Sequence, residues 1–189
     1  GNVDEADQYD AALEKLDPAF KADGYQKIIS EVGEKYNFSG SWSSGSVENY
    51  LVSTENRNEA YHISTDQDFN IVLKHPEKKW ELIEKQTGWR KDDFSAEQAI
   101  ANFKALLPTY EHVPGFKPEP GEYTVAFGAK ALAEMVMMAK YTGFWGRGWE
   151  EKQGWTSQNK PGDKILGENF TLIDDPESDQ TYRIGFDFA

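Results

Sequence analysis

Apolar residues fall along this chain in more than one rhythm, and each rhythm predicts a different element. In "GYQKIISEVGEKY" Tyr25, Ile28, Ile29 and Val32 recur at i, i+3, i+4 and i+7, one face of a helix that turns toward a core. The preceding "DEADQYDAALEKLD" has few apolar positions and is followed by Pro18, so it predicts a short acidic helix ending near Leu16. From Tyr36 the period changes to two, with Tyr36, Phe38, Gly40 and Trp42 alternating with polar or small residues. "SVENYLVST", "NEAYHIST" and "DFNIVLKH" follow as runs rich in β-branched and aromatic residues, punctuated by "SSG", "ENRN" and "DQD". Together they predict an antiparallel meander of three or four strands. The segment "PEKKWELIEKQTGWRKDD" fits a helix or a hairpin, and propensity does not choose between them.

"DFSAEQAIANFKALLP" carries the clearest helical signal. Ser95 and Gln98 have capping-box spacing, Phe94 can staple against Ala99, and Ala96, Ala99, Ile100, Phe103, Leu106 and Leu107 form the apolar stripe that Pro108 is expected to end. The proline-rich "YEHVPGFKPEPG" then divides the chain, giving an N-terminal region over 1–110 and the start of a C-terminal domain over 111–189. Beyond it, alternation at Tyr123, Val125 and Phe127 predicts a strand, Gly128 a turn, and "AKALAEMVMMAKY" a helix apolar on nearly every side and therefore mostly enclosed. A long Gly-rich loop holding Trp145, Trp149 and Trp155 leads to "FTLIDDPE", a further strand running into an acidic turn. The expected class is α+β: an antiparallel meander with packed helices, then a strand-helix unit and a Gly/Trp-rich loop. The terminal "TYRIGFDFA" reads as a strand without a cap or turn, which suggests that a following segment covers its edge.

Composition narrows the function classes. The 189 residues are 38% apolar and 14% aromatic, enough for a packed core, and 20 basic against 33 acidic side chains give a net charge of -13. That sign repels phosphate backbones and anionic lipid, so nucleic acid and membrane are poor partners. No run reaches the about 18 consecutive apolar residues of a membrane helix, and "GNVDEADQ" lacks the basic and apolar parts of a secretion signal. With no cysteine there is no disulfide scaffold, thiol nucleophile or thiolate metal site, and a cytoplasmic location is expected.

Candidate chemistry is sparse. His62, His75 and His112 lie too far apart in sequence to form a local ligand motif. Glu168, Asp174 and Asp175 offer carboxylates for acid-base work or a Ca²⁺ site, but an Asp-Pro turn is the plainer account, and neighbouring strand residues point to opposite faces. No GxSxG, P-loop or GxGxxG pattern occurs. Trp145, Trp149 and Trp155, separated by glycines, suit either a binding loop with rigid aromatic anchors or a cover over the core.

The order of "FSGSWSSGSV", "SAEQAIANFKAL", "GEYTVAFGAKALAEMV", "GDKILGENFTLIDDPE" and "GFDF" resembles the central part of the TldD/PmbA family, known as modulators of DNA gyrase and as metal-dependent proteases in peptide maturation. The resemblance implies a bacterial, oligomeric assembly of paired subunits. One subunit carries HExxxH on the helix after the strand, with two histidines on zinc and the glutamate as general base; the other lacks it. Laid on this chain, the motif falls on Ala129, Lys130 and Glu134, none of them a histidine. Alanine donates nothing and a lysine ammonium repels the cation. The resemblance therefore implies a PmbA-like subunit with no metal and no catalytic residue of its own. Its partner would be a zinc-bearing TldD-like subunit or a second copy, and its substrate a peptide or unfolded protein. A non-enzymatic aromatic module for peptide or glycan is the alternative that the tryptophans suggest.

Overall fold

The computed structural model describes residues 8–54, 58–175 and 178. It is α+β, and its contacts form two compact units that divide at Gly115, within the proline-rich stretch. The first unit is built on an antiparallel sheet of order β1-β2-β3, with β1 Asn37–Ser53, β2 Asn58–Lys74 and β3 Glu81–Gly88. The helices α1 Ala11–Glu14, α2 Pro18–Val32 and α3 Ala96–His112 complete it.

The expected meander condenses into fewer, longer strands. Neither "SSG" nor "DQD" turns the chain; Ser44 and Gly45 instead face Gln67 and Asp66 in one unbroken β1-β2 register. These polar positions stay in the sheet because tertiary bonds satisfy them. The Gln67 side chain accepts from Trp42 Nε1 at 3.1 Å and donates to the Arg90 carbonyl. Thr65, fully buried, accepts from the Asp10 N–H at 2.9 Å and donates to the Trp89 carbonyl at 2.7 Å. Polar residues thus become buried bridges between the sheet and the segments around it. The connection around "ENRN" lies outside the described residues up to Asn58, and "TYRIGFDFA" lies outside them entirely. The open segment before α3 resolves as a hairpin: β3 pairs Glu81–Gly88 with Lys74–Gln67, followed by a 3-10 turn at Lys91–Asp93.

Alternation places Phe69, Ile71 and Leu73 of β2 on one sheet face, where α2 and α3 cover them with Ile28, Ala99, Ile100 and Phe103. Trp42, Phe69 and Phe94 meet here with ring centroids 4.1 to 5.3 Å apart. Burying each such side chain contributes about 1.5–3 kcal/mol, so this face dominates the unit's stability. Gly40 faces Ile71 in the β1-β2 register, and a Cβ there would collide with the Asn70 carbonyl oxygen. α2 starts as its sequence dictates: the Asp17 carboxylate accepts from the Ala19 N–H at 2.8 Å, Pro18 occupies the first turn, and Gly33 at φ 128° ends it.

α3 departs from expectation in three places. Ser95 Oγ accepts from the Gln98 N–H at 3.1 Å, but the other half of the box comes from Gln86, whose Oε1 takes the Ser95 N–H at 2.8 Å. Gln98 turns outward to Asn102. Leu106 is exposed, so the stripe narrows to Ala96, Ala99, Ile100 and Phe103 with Leu107 at its margin. Pro108, expected to end the helix, sits inside it. An internal proline costs about 3 kcal/mol through its lost N–H and ring clash, and the turn beyond it is anchored strongly enough to continue. Glu111 accepts from Lys78 Nζ at 2.7 Å, Lys35 Nζ at 3.1 Å and Tyr36 Oη at 2.6 Å. His75 Nε2 lies 3.6 Å from the same carboxylate, and Tyr110 packs edge-on against Trp80.

The hydrogen bonds from Lys78, then Tyr36 and Lys35, lower the Glu111 carboxyl from an ordinary 4.5 to about 2. A depressed acid contributes stability that is fully present above its unfolded value and is lost as pH falls through its folded one. Glu111→Gln is therefore expected to lower Tm near neutral pH, and its gap to the wild type to narrow between about pH 4.5 and about pH 2. Melting curves of both proteins across that range check this; parallel curves would contradict it.

Candidate functional site

The second unit, Phe116–Asp174, contains α4 Ala129–Gly143, α5 Gly146–Glu150 and a 3-10 turn at Trp155–Gln158. Residues 122–127 form no strand, and neither does the "FTLI" stretch at 170–173. Tyr123, Val125 and Phe127 are more than half exposed. The reason is a missing neighbour: among the described residues nothing donates to or accepts from the backbone of either stretch beyond one bond, Phe170 N–H to the Gly167 carbonyl. A strand exists only where a second strand satisfies its backbone. α4 also departs from expectation. Instead of being enclosed it exposes Met135, Met137, Met138 and Tyr141, and Gly143 is its buried residue.

Ala129, Lys130 and Glu134 all lie on α4, with Ala129 its first residue. Between Ala129 and Gly143 the helix has no histidine or cysteine in any register, and its ionisable groups before Tyr141 are Lys130, Glu134 and Lys140. Such a donor set does not fit a zinc ion, which takes imidazole, thiolate or carboxylate in a tetrahedral shell. The chain's histidines are not brought together either. His62 is buried in β2 opposite Asn49, with neither ring nitrogen hydrogen-bonded among the described residues. His75 Nδ1 accepts from the N–H groups of Glu77 and Lys78 at 3.0 and 2.9 Å, which leaves the ring proton on Nε2. His112 Nδ1 lies 2.7 Å from the Pro108 carbonyl oxygen. Among the described residues no three His, Asp or Glu side chains gather as a metal site. Glu168 pairs with Lys164 at 2.9 Å, and the Asp175 carbonyl accepts from the Ser178 N–H at 3.3 Å.

The tryptophans separate into two kinds. Trp155 fastens the loop to the end of α4: its Nε1 donates to the Ala139 carbonyl at 3.4 Å, its ring meets Phe144 edge-on at 5.2 Å, and a Cβ at Gly143 would collide with it. Thr156 Oγ1 donates to the Gly143 carbonyl beside it. Trp145 and Trp149 instead line a groove of about 870 Å³. Trp149 is steadied by a 3.2 Å bond from Nε1 to the Asn159 carbonyl, while Trp145 is about half exposed. Phe144, Ile165, Phe170 and Leu172 supply further apolar lining, and Lys140 and Lys164 with Glu168 and Asp174 put two charges of each sign at its walls. The sequence pattern singles out the tryptophans but not Phe144, Lys140 or Ile165. The usable signal for Leu172 is the alternation of "FTLI", which marks a stretch with two usable faces. A groove of this size with aromatic walls and balanced charges at its walls suits an extended peptide or a partner's segment.

Residues 120–188 match the family model of the PmbA/TldA metallopeptidase C-terminal domain. No curated protein and no solved structure gives a match. The match spans α4 and the groove.

Because Trp155 closes the loop and Trp145 lines the groove, their truncations are expected to differ. Trp155→Ala should destabilise the second unit by about 1–3 kcal/mol, whereas Trp145→Ala should stay within about 0.5 kcal/mol of the wild type. Denaturant melts followed by near-ultraviolet circular dichroism distinguish them, and equal losses for both would contradict this division.

Proposed function

We propose that the chain is a member of the PmbA/TldD family, on the match over residues 120–188, and that it is the subunit without metal, acting in proteolysis or peptide maturation beside a zinc-bearing TldD-like partner. The observation that carries this is α4 itself, a helix without a histidine or cysteine in the part of the chain that matches a metallopeptidase family. Zinc in the partner would supply the polarised water that hydrolysis needs. This chain's residues bind and orient: Trp145 and Trp149 present rigid aromatic area, Phe144 and Ile165 exclude water, and Lys140 offers a cation to an acidic group on the bound segment.

The same groove also favours a second reading, a non-enzymatic module for peptide or glycan, since aromatic faces stack on sugars as well as on side chains. Tryptophan fluorescence titrated with unfolded peptides and with oligosaccharides separates the two. A shift with sugars alone favours the module.

Dialysed against micromolar zinc, the isolated chain is expected to retain no stoichiometric metal and to cleave no peptide, while a mixture with the TldD-like subunit cleaves. Metal analysis and a peptidase assay check this, and one tightly held zinc per chain sinks it. Trp145→Ala combined with Trp149→Ala is expected to weaken binding to that subunit or to peptide by about 2 kcal/mol or more. An unchanged affinity would leave both rings as structural cover.

A further inference from the structure

We propose that the groove within Phe116–Asp174 selects dipolar peptides, with Lys140 taking an acidic side chain, Asp174 a basic one, and the aromatic wall an apolar residue beside them. The inference rests on the peptide reading of the groove and names the class of peptide that it takes.

Four charged side chains line the groove, and they are not equivalent. Lys164 Nζ lies 2.9 Å from Glu168 Oε1, so that pair is matched within the chain. The side chains of Lys140 and Asp174 have no hydrogen bond or ion pair among the described residues, with each other or with a third group. They come from separate segments, the last turn of α4 and the end of the stretch 164–174 along the groove. One unmatched charge of each sign is therefore offered to whatever lies against the walls.

That pair sorts ligands by their charge pattern. A neutral ligand takes water from both groups and gives neither a partner; a ligand of one sign satisfies one group and is repelled by the other. Only a ligand with both signs satisfies both. The field of the unit does not override this choice, because Phe116–Asp174 contains 7 basic and 8 acidic residues, a net of -1, against -13 for the whole chain. Exposed charges farther than about 8 Å are also screened at physiological salt, so selection falls to the groups that the ligand touches.

The rest of the lining sets the size and kind of the ligand. Trp145, Trp149, Phe144 and Ile165 give an apolar wall, and a volume of about 870 Å³ suits a few residues of peptide rather than a folded partner. A neutral oligosaccharide could stack on the rings, but it leaves both charges without a partner. The same feature thus favours peptide over glycan.

The full chain is titrated by calorimetry with end-capped pentapeptides: Glu-Leu-Phe-Leu-Lys, and the same core with Gln, with Glu or with Lys at both ends. The dipolar peptide is expected to bind about tenfold more tightly than the neutral one, and the gap to close in about 0.5 M salt. Lys140→Glu should move the preference to the peptide with two lysines, and Asp174→Lys to the peptide with two glutamates. Both side chains are exposed, so these changes leave the packing intact. Equal affinity for the neutral and dipolar peptides, lost for both in Trp145→Ala combined with Trp149→Ala, overturns the inference and leaves the peptide reading standing. A preference for the dipolar peptide that survives both charge reversals also overturns it. Binding of none of the peptides overturns the inference and the peptide reading together.

Discussion

A peptide backbone that gives up water must find other hydrogen-bond partners, and the two units of this protein meet that demand in opposite ways. In the first, β1 and β2 run paired for 17 residues each and β3 completes the inner half. In the second, two stretches with strand-like sequences have no strand beside them among the described residues. That contrast governs the rest. Paired backbone lets Phe69, Ile71 and Leu73 present one continuous apolar face to α2 and α3. In the second unit α4 exposes its methionines, and a groove opens beside Trp145 and Trp149.

Where local pattern and tertiary demand agree, the fold was legible in the sequence. The face of α2, the Ser95 cap and the antiparallel arrangement follow from spacing alone. The disagreements share a cause: a distant partner reverses a local preference. Gln67 sits in the "DQD" that looks like a break until Trp42 and Arg90 bind its side chain. Pro108 looks like a stop until three donors on Glu111 hold the turn beyond it. "EYTVAF" has the alternation of a strand, and among the described residues no neighbouring strand pairs with it.

The candidate site was legible in a different measure. The helix without ligands is a statement about residue identity, so the sequence alone carries it, and the match over 120–188 gives it a family context. The groove is a statement about which residues meet. Glycine spacing marks Trp145, Trp149 and Trp155 together, yet a bond to Ala139 turns Trp155 into a fastening while the other two line the wall. Residue type predicts capacity; contacts decide its use.

Chemistry and architecture then point the same way. α4 carries no histidine or cysteine, and the aromatic groove lining and a near-neutral charge are concentrated in the same unit. The direct measurement is amide hydrogen exchange of the full chain alone and again with a TldD-like subunit added. The account predicts fast exchange at 122–127 and 171–174 in the free chain, beside slow exchange over Gln67–Lys74 of β2, which is paired on both sides, with protection of both stretches appearing as the subunit binds. Protection of both stretches already present in the free chain, or exchange that stays fast with the subunit added, would contradict it.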